Sequence, residues 1–318
     1  MIIQILLLVL GLGLLIKGAD WMVSGATALA KKHQISDLAI GLTIVAFGTS
    51  APELVVNTFA ALQNHHDLVF GNVIGSNNIN LFFILGIAGL ITPLVVQSST
   101  VWKEIPLSLF AVILLFFLAN DVLSPGVNFL SRLDGLILLA LFAAFLFYVY
   151  KQLKTDKQES IPDQKHFTNL KIWILIITGM AGLVIGGRLV VTNAVEMATA
   201  MGISEKIVGL TIVALGTSLP ELATSVVAAL KKNNDIAVGN IIGSNIFNIF
   251  LILGVSSVLT PVSYHPVFNT DLLLLGVGTL ILFIAMFTGI KKKLDRWEAG
   301  ALLLIYIVYT VYIVLNEL

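Results

Sequence analysis

Residues 41–53 read GLTIVAFGTSAPE and residues 209–221 read GLTIVALGTSLPE, agreeing at eleven of thirteen positions. A second pair, GNVIGSNNINLFFILG at 71–86 and GNIIGSNIFNIFLILG at 239–254, agrees at eleven of sixteen. Both pairs are displaced by the same 168 residues. Two matches in one register mark an internal duplication. Each copy sets a proline and a glutamate inside an otherwise apolar run, and this pairing decides how the rest of the chain is read.

The surrounding sequence is too apolar for a water-soluble fold. Of 318 residues, 58% are hydrophobic and 11% charged, against about 25% charged in soluble domains. The apolar runs are about 17–25 residues long with polar turns between them, as membrane-spanning helices require. Ten spans are expected, at 2–30, 37–62, 69–92, 104–119, 131–150, 170–199, 206–230, 236–259, 271–289 and 297–315. The N-terminal run MIIQILLLVLGLGLLI has no basic segment before it and no small-residue cleavage pattern after it. It reads as a retained first helix. Zero net charge gives nucleic acid no footing, and the absence of cysteine excludes disulfides, thiolate metal sites and thiol nucleophiles.

Lysine and arginine orient the spans, because positive loops stay cytoplasmic. The odd-numbered loops carry fourteen such residues, among them Lys31, Lys103, Lys151, Lys231 and Lys291. The even-numbered loops carry two, Arg132 and Lys206. Both termini are therefore expected outside the cytoplasm, with 151–168 as a cytoplasmic linker between repeats at 1–150 and 169–318. Five spans per copy is an odd number, so the second copy enters the membrane upside down. The expected fold class is an all-α integral membrane protein of two inverted five-helix repeats, with helices 2 and 7 broken at the midplane. Inverted repeats with interrupted helices describe secondary transporters.

Pro52 and Pro220 lack an amide hydrogen, which in a helix unpairs the carbonyls of Gly48 and Gly216. Unpaired carbonyls at membrane depth survive only where something else satisfies them. Glu53 and Glu221 fall near the middle of their spans, where a charge costs at least about 2.5–3.5 kcal/mol. A hard cation between the two glutamates removes both penalties. Thr49, Ser50, Thr217 and Ser218 add hydroxyls, and the second motif adds Ser76, Asn80, Ser244 and Asn248. In that motif the serine and the second asparagine are four apart and share one helix face. Asn77 and Asn245 read as facing another side. Every donor is oxygen, which suits calcium or sodium. His65, His66 and Asp67 read as a solvated turn, and Lys17 and Asp20, three apart, as a helical ion pair.

GTSAPE and GTSLPE, each followed by a G-S-N-x-x-N segment, resemble the two alpha-repeats of the calcium/cation antiporter superfamily, and most of all those of prokaryotic sodium/calcium exchangers. The resemblance covers nearly the whole chain. It implies four cation sites in a diamond at the midplane, bridged by Glu53 and Glu221. The calcium site would take both glutamates and the carbonyls of Thr49 and Thr217. One flanking sodium site would take Ser50, Ser244 and the Ala46 carbonyl, the other Ser76, Ser218 and the Ala214 carbonyl, with Asn80 and Asn248 lining the middle. Helices 1 and 6 would slide across the rest. Archaeal and potassium-dependent relatives often carry Asp where this chain has Asn248, which argues against potassium coupling.

The expected function is electrogenic sodium/calcium antiport by alternating access in a prokaryotic plasma membrane. Calcium and sodium are substrates, the bilayer is the surrounding partner, and no resident cofactor or obligatory protein partner is expected. A proton-coupled calcium antiporter remains an alternative, and a channel a remote one. Enzymatic chemistry finds no nucleophile–base pair in a span.

Overall fold

A computed structural model describes residues 2–120, 128–155, 167–201, 214–289 and 292–317. Among them nine helices are long and apolar enough to cross a membrane. They are α1 (Ile2–His33), α2 (Asp37–Leu62), α3 (His66–Ile91), α4 (Thr100–Ala119), α5 (Arg132–Gln152), α6 (Asn169–Ala200), α8 (Asn234–Leu259), α9 (Pro266–Ala285) and α10 (Arg296–Ile313). A shorter apolar helix, α7 (Leu219–Leu230), stands at the expected seventh span. The N-terminal part of that span, with Lys206 and the motif up to Val213, lies outside the described residues. So do 156–166 of the linker and Lys291.

Burial separates the helices into two kinds. Nearly all of α8 is inside the molecule, and α3 is mostly buried, whereas α1, α5, α9 and α10 turn large apolar side chains outward. The core is one cluster that joins Leu42, Phe82, Ile246 and Phe250 of α2, α3 and α8. The helices carrying the repeated motifs are therefore innermost.

Local irregularity falls on those same helices and on α4, whose first turn, Thr100–Glu104, is π-helical. Ser36 caps α2, its hydroxyl accepting from Ala39 N at 3.2 Å, with Asp37 in the first turn, where a negative charge meets the positive helix end. A π-helical turn, Gly41–Val45, follows, and the helix then runs through Pro52 to Leu62. Its repeat-mate behaves differently. Ala214–Gly216 is helical, Thr217 and Ser218 form a turn, and helix resumes at Leu219. π-Helical turns recur at Ile79–Ile84 and Phe247–Leu253, positions 168 residues apart, where Asn80 and Asn248 sit. Such turns widen the backbone hydrogen-bond ladder and commonly mark functional positions.

α1 and α6, of 32 residues each, would span about 48 Å if straight, well beyond a hydrocarbon core of about 30 Å. They pack against each other through glycine. A Cβ on Gly11 would lie 2.9 Å from the Gly186 carbonyl oxygen, and one on Gly18 would lie 2.8 Å from that of Gly179. The contacts are reciprocal, since Gly11 and Gly179 are 168 apart, as are Gly18 and Gly186. Small residues let helix backbones approach closely where lipid supplies no hydrophobic drive. Short strands at the two ends repeat the pattern: Leu94–Val95 pairs with Lys293–Leu294, and Phe129–Leu130 with Val262–Ser263, both antiparallel.

The expected Lys17–Asp20 pair does not form. Asp20 Oδ1 instead meets Lys231 Nζ at 2.6 Å, and the same ammonium donates to the Asp20 carbonyl at 3.0 Å and to Ser24 Oγ at 2.8 Å. Helical spacing makes Lys17 a possible neighbour, but Lys231 brings three contacts at once from the turn after α7.

The glycine seam predicts its own sensitivity. Gly18→Leu or Gly179→Leu should lower stability by about 3 kcal/mol through overpacking, read as a fall in melting temperature in detergent. Gly13→Leu, at a position where an added Cβ meets nothing within 4 Å, should leave that temperature near the wild-type value.

Candidate ion site

α2 and α7 bring Glu53 and Glu221 into the interior, each 1% exposed. The two carboxylates are close enough to interact electrostatically. Ser50 Oγ of α2 lies 3.0 Å from both Glu221 Oε1 and Ser244 Oγ of α8, its single proton serving one of them at a time, and Ser244 Oγ lies 3.4 Å from the same carboxylate oxygen. Thr49 Oγ1 reaches the Ala46 carbonyl at 3.2 Å and Asn240 Oδ1 at 3.0 Å, and lies 3.5 Å from Ser244 Oγ. Thus Ala46, Thr49, Ser50, Glu221 and Ser244 form one hydrogen-bonded cluster contributed by both repeats.

Their mates are placed but not bonded alike. Glu53 Oε1 and Oε2, Ser76 Oγ and Ser218 Oγ are buried without a hydrogen-bond partner among the described residues. Glu221 Oε2, Asn80 Oδ1 and Asn248 Oδ1 are likewise unpartnered. Thr217 is part-buried and donates to Asn72 Oδ1 at 3.2 Å. The Ala214 backbone lies at the head of the short helix before the turn. Buried polar atoms are nearly always paired in native structures, and leaving one unpaired costs about 1–3 kcal/mol, more if charged. Seven of the eighteen buried atoms left unpartnered among the described residues are oxygens of residues singled out by the duplicated motifs. Among the described residues no cluster of three or more His, Cys, Asp or Glu is placed to hold a metal ion. The donor set is two carboxylates, with hydroxyls, amides and carbonyls completing it, and hard cations accept such a set.

Sequence reasoning missed two pairs of asparagines. Asn77 and Asn245, read as facing elsewhere, knit α3 to α8. Asn80 Nδ2 donates to Asn245 Oδ1 at 3.1 Å and Asn248 Nδ2 to Asn77 Oδ1 at 2.9 Å. Asn77 Nδ2 donates to the Asn245 carbonyl at 3.2 Å and Asn245 Nδ2 to the Asn77 carbonyl at 3.4 Å. This reciprocal ring turns the carbonyl oxygens of Asn80 and Asn248 loose while holding their nitrogens. Asn72 and Asn240 are the second pair. A signal for them existed: each stands four residues before Ser76 or Ser244 and eight before Asn80 or Asn248, on one helix face.

Comparison with known proteins gives the family. The sodium/calcium exchanger protein family matches residues 3–151 and 171–315, and the chain belongs to that family. It is 37% identical to the putative antiporter CaxA of Alkalimonas amylolytica, over 97% of this chain and 98% of that protein. It is 32% identical to the sodium/calcium exchanger MaX1 of Methanosarcina acetivorans, over 97% and 98%. A solved structure of the sodium-calcium exchanger NCX_Mj, soaked with zero sodium and calcium, superposes with a TM-score of 0.83 at 32% identity, covering 98% of this chain and 99% of that one. The chain is an all-α, multi-pass integral membrane protein of an exchanger family, not of an enzyme family.

The asparagine ring yields a stability prediction. Asn77→Ala removes the acceptor of Asn248 Nδ2 and should lower stability by about 1–3 kcal/mol. Because Asn77 and Asn245 share the ring, Asn77→Ala with Asn245→Ala should destabilise by less than the sum of the two, as unfolding followed by tryptophan fluorescence would show.

Proposed function

We propose that this chain exchanges sodium for calcium across a prokaryotic plasma membrane, electrogenically and without potassium. The observation that carries the reading is the set of buried, unpartnered oxygens on Glu53, Glu221 and the motif residues Ser76, Asn80, Ser218 and Asn248. One calcium ion neutralises both carboxylates. Sodium ions need the same oxygens, so the two loads exclude each other, which is the condition for exchange. The names of the relatives support the choice of ions.

The proposed architecture is ten transmembrane helices in two inverted repeats, 1–150 and 169–318, joined by a cytoplasmic linker at 151–168, with both termini extracytoplasmic. The interruption at Thr217 and Ser218 and the reciprocal contacts of glycines, strands and asparagines support it. Calcium is held by Glu53, Glu221 and the carbonyls of Thr49 and Thr217. Sodium takes Ser50, Ser244 and the Ala46 carbonyl on one flank, and Ser76, Ser218 and the Ala214 carbonyl on the other, with Asn80 and Asn248 at the middle position. Asn248 leaves two formal carboxylates rather than three, which supports potassium independence. If three sodium ions replace one calcium, one net charge moves per cycle, coupling transport to voltage by about 2.3 kcal/mol per 100 mV.

Proteoliposomes loaded with sodium and diluted into sodium-free calcium should accumulate calcium, faster when the interior is made positive and equally well without potassium. Glu53→Gln and Glu221→Gln should each reduce uptake to below about a tenth, at least the tenfold that 1.4 kcal/mol represents. Calcium flux that follows a pH gradient with no sodium present, or full exchange by either glutamine variant, contradicts the proposal.

A further inference from the structure

Threonine inside a helix ordinarily returns its hydroxyl proton to the carbonyl three or four residues earlier. Several threonines of this chain do so. Thr43 donates to the Ala39 carbonyl at 2.6 Å, Thr178 to Ile174 at 2.6 Å, Thr199 to Val195 at 2.9 Å and Thr279 to Leu275 at 2.8 Å. Thr49 and Thr217 depart from this. The Thr49 hydroxyl stands between the Ala46 carbonyl, at 3.2 Å, and Asn240 Oδ1, at the shorter 3.0 Å. Thr217 donates to Asn72 Oδ1 at 3.2 Å. Each threonine therefore turns to an asparagine of the opposite repeat, and the two pairs are related by the 168-residue displacement.

Asn240 is built to receive that proton. It is fully buried, and its amide nitrogen is held by Ser225 Oγ at 3.0 Å and the Glu221 carbonyl at 3.4 Å. With the nitrogen engaged there, the amide oxygen points at Thr49. A hydroxyl carries one proton and cannot serve two acceptors fully. If it goes to Ala46, it occupies a lone pair of a carbonyl that the exchange reading assigns to sodium.

We propose that Asn240 and Asn72 are positioning residues for ion binding. Each accepts the hydroxyl proton of the facing threonine, Thr49 or Thr217, and so keeps the carbonyl three residues before it, Ala46 or Ala214, available to sodium. The inference rests on the sodium/calcium exchange reading. It places Asn72 and Asn240 outside the ion's own shell, acting through a threonine.

The test uses full-length protein in proteoliposomes, with apparent sodium affinity as the readout, and purified protein, with the rise in melting temperature on adding sodium chloride over choline chloride. Asn240→Ala should return the Thr49 proton to Ala46 and weaken sodium by about fivefold, the equivalent of one ordinary hydrogen bond. Adding Thr49→Val removes the hydroxyl and frees the carbonyl, so the double variant should bind sodium more tightly than Asn240→Ala alone. A purely structural asparagine gives the opposite order, with the double variant as weak or weaker. That order, or unchanged sodium affinity in Asn240→Ala, overturns the inference. If Asn240→Ala does not fold, Asn72→Ala with Thr217→Val makes the same comparison at the mate position. Absence of sodium-driven calcium flux in folded wild-type protein sinks the exchange reading itself. Normal flux without the rescue sinks only the role given to the asparagines.

Discussion

Two carboxylates buried on opposing helices are the constraint that the rest of this structure answers to. Glu53 and Glu221 are shielded from water, and three of their four oxygens have no hydrogen-bond partner among the described residues. Fully charged groups at such depth need compensation, and among the described residues no lysine or arginine forms an ion pair with either. Ser50 satisfies one carboxylate oxygen of Glu221, while the hydroxyls of Ser76 and Ser218 and the amide oxygens of Asn80 and Asn248 stay unpartnered among the described residues. On the exchange reading proposed above, these oxygens serve a visiting cation and not a resident salt bridge.

Holding such a site requires a frame that does not collapse on it. The frame is made of contacts that recur at or near a displacement of 168 residues. Asn77 and Asn245 exchange bonds with Asn248 and Asn80, Gly11 and Gly18 meet Gly186 and Gly179, and strands at the two ends pair crosswise. The symmetry is not complete. Ser50 and Ser244 close on Glu221, while the identical residues Ser218 and Ser76 leave Glu53 unbonded. Identical chemistry in two arrangements points to conformation, not composition, as the source of the difference. Under the proposed inverted-repeat architecture, halves of like sequence in unequal arrangements are what alternating access requires.

Much of this was legible in the sequence. Nine of the expected spans coincide with long apolar helices among the described residues, as apolar length suggests, and Glu53 and Glu221 stand out as candidates because a duplicated acid inside apolar runs has no packing role. What was not legible depends on partners from distant parts of the chain. Helical spacing offered Lys17 to Asp20, but Lys231, more than two hundred residues away, takes it. Judging Asn77 by the face of its own helix placed it away from the site, because its partners Asn245 and Asn248 come from the other repeat. Asn72 and Asn240 were visible in both motifs and on the right face, yet their role depends on where a threonine proton goes, which periodicity does not report.

The central claim is that one divalent cation sits between Glu53 and Glu221 and that sodium displaces it. Anomalous X-ray diffraction from crystals soaked in calcium or strontium tests this most directly. The account predicts a single strong peak between the two carboxylates in sodium-free soaks, fading as sodium is raised. A peak elsewhere, such as the His65–Asp67 turn, or a central peak indifferent to sodium, would contradict it.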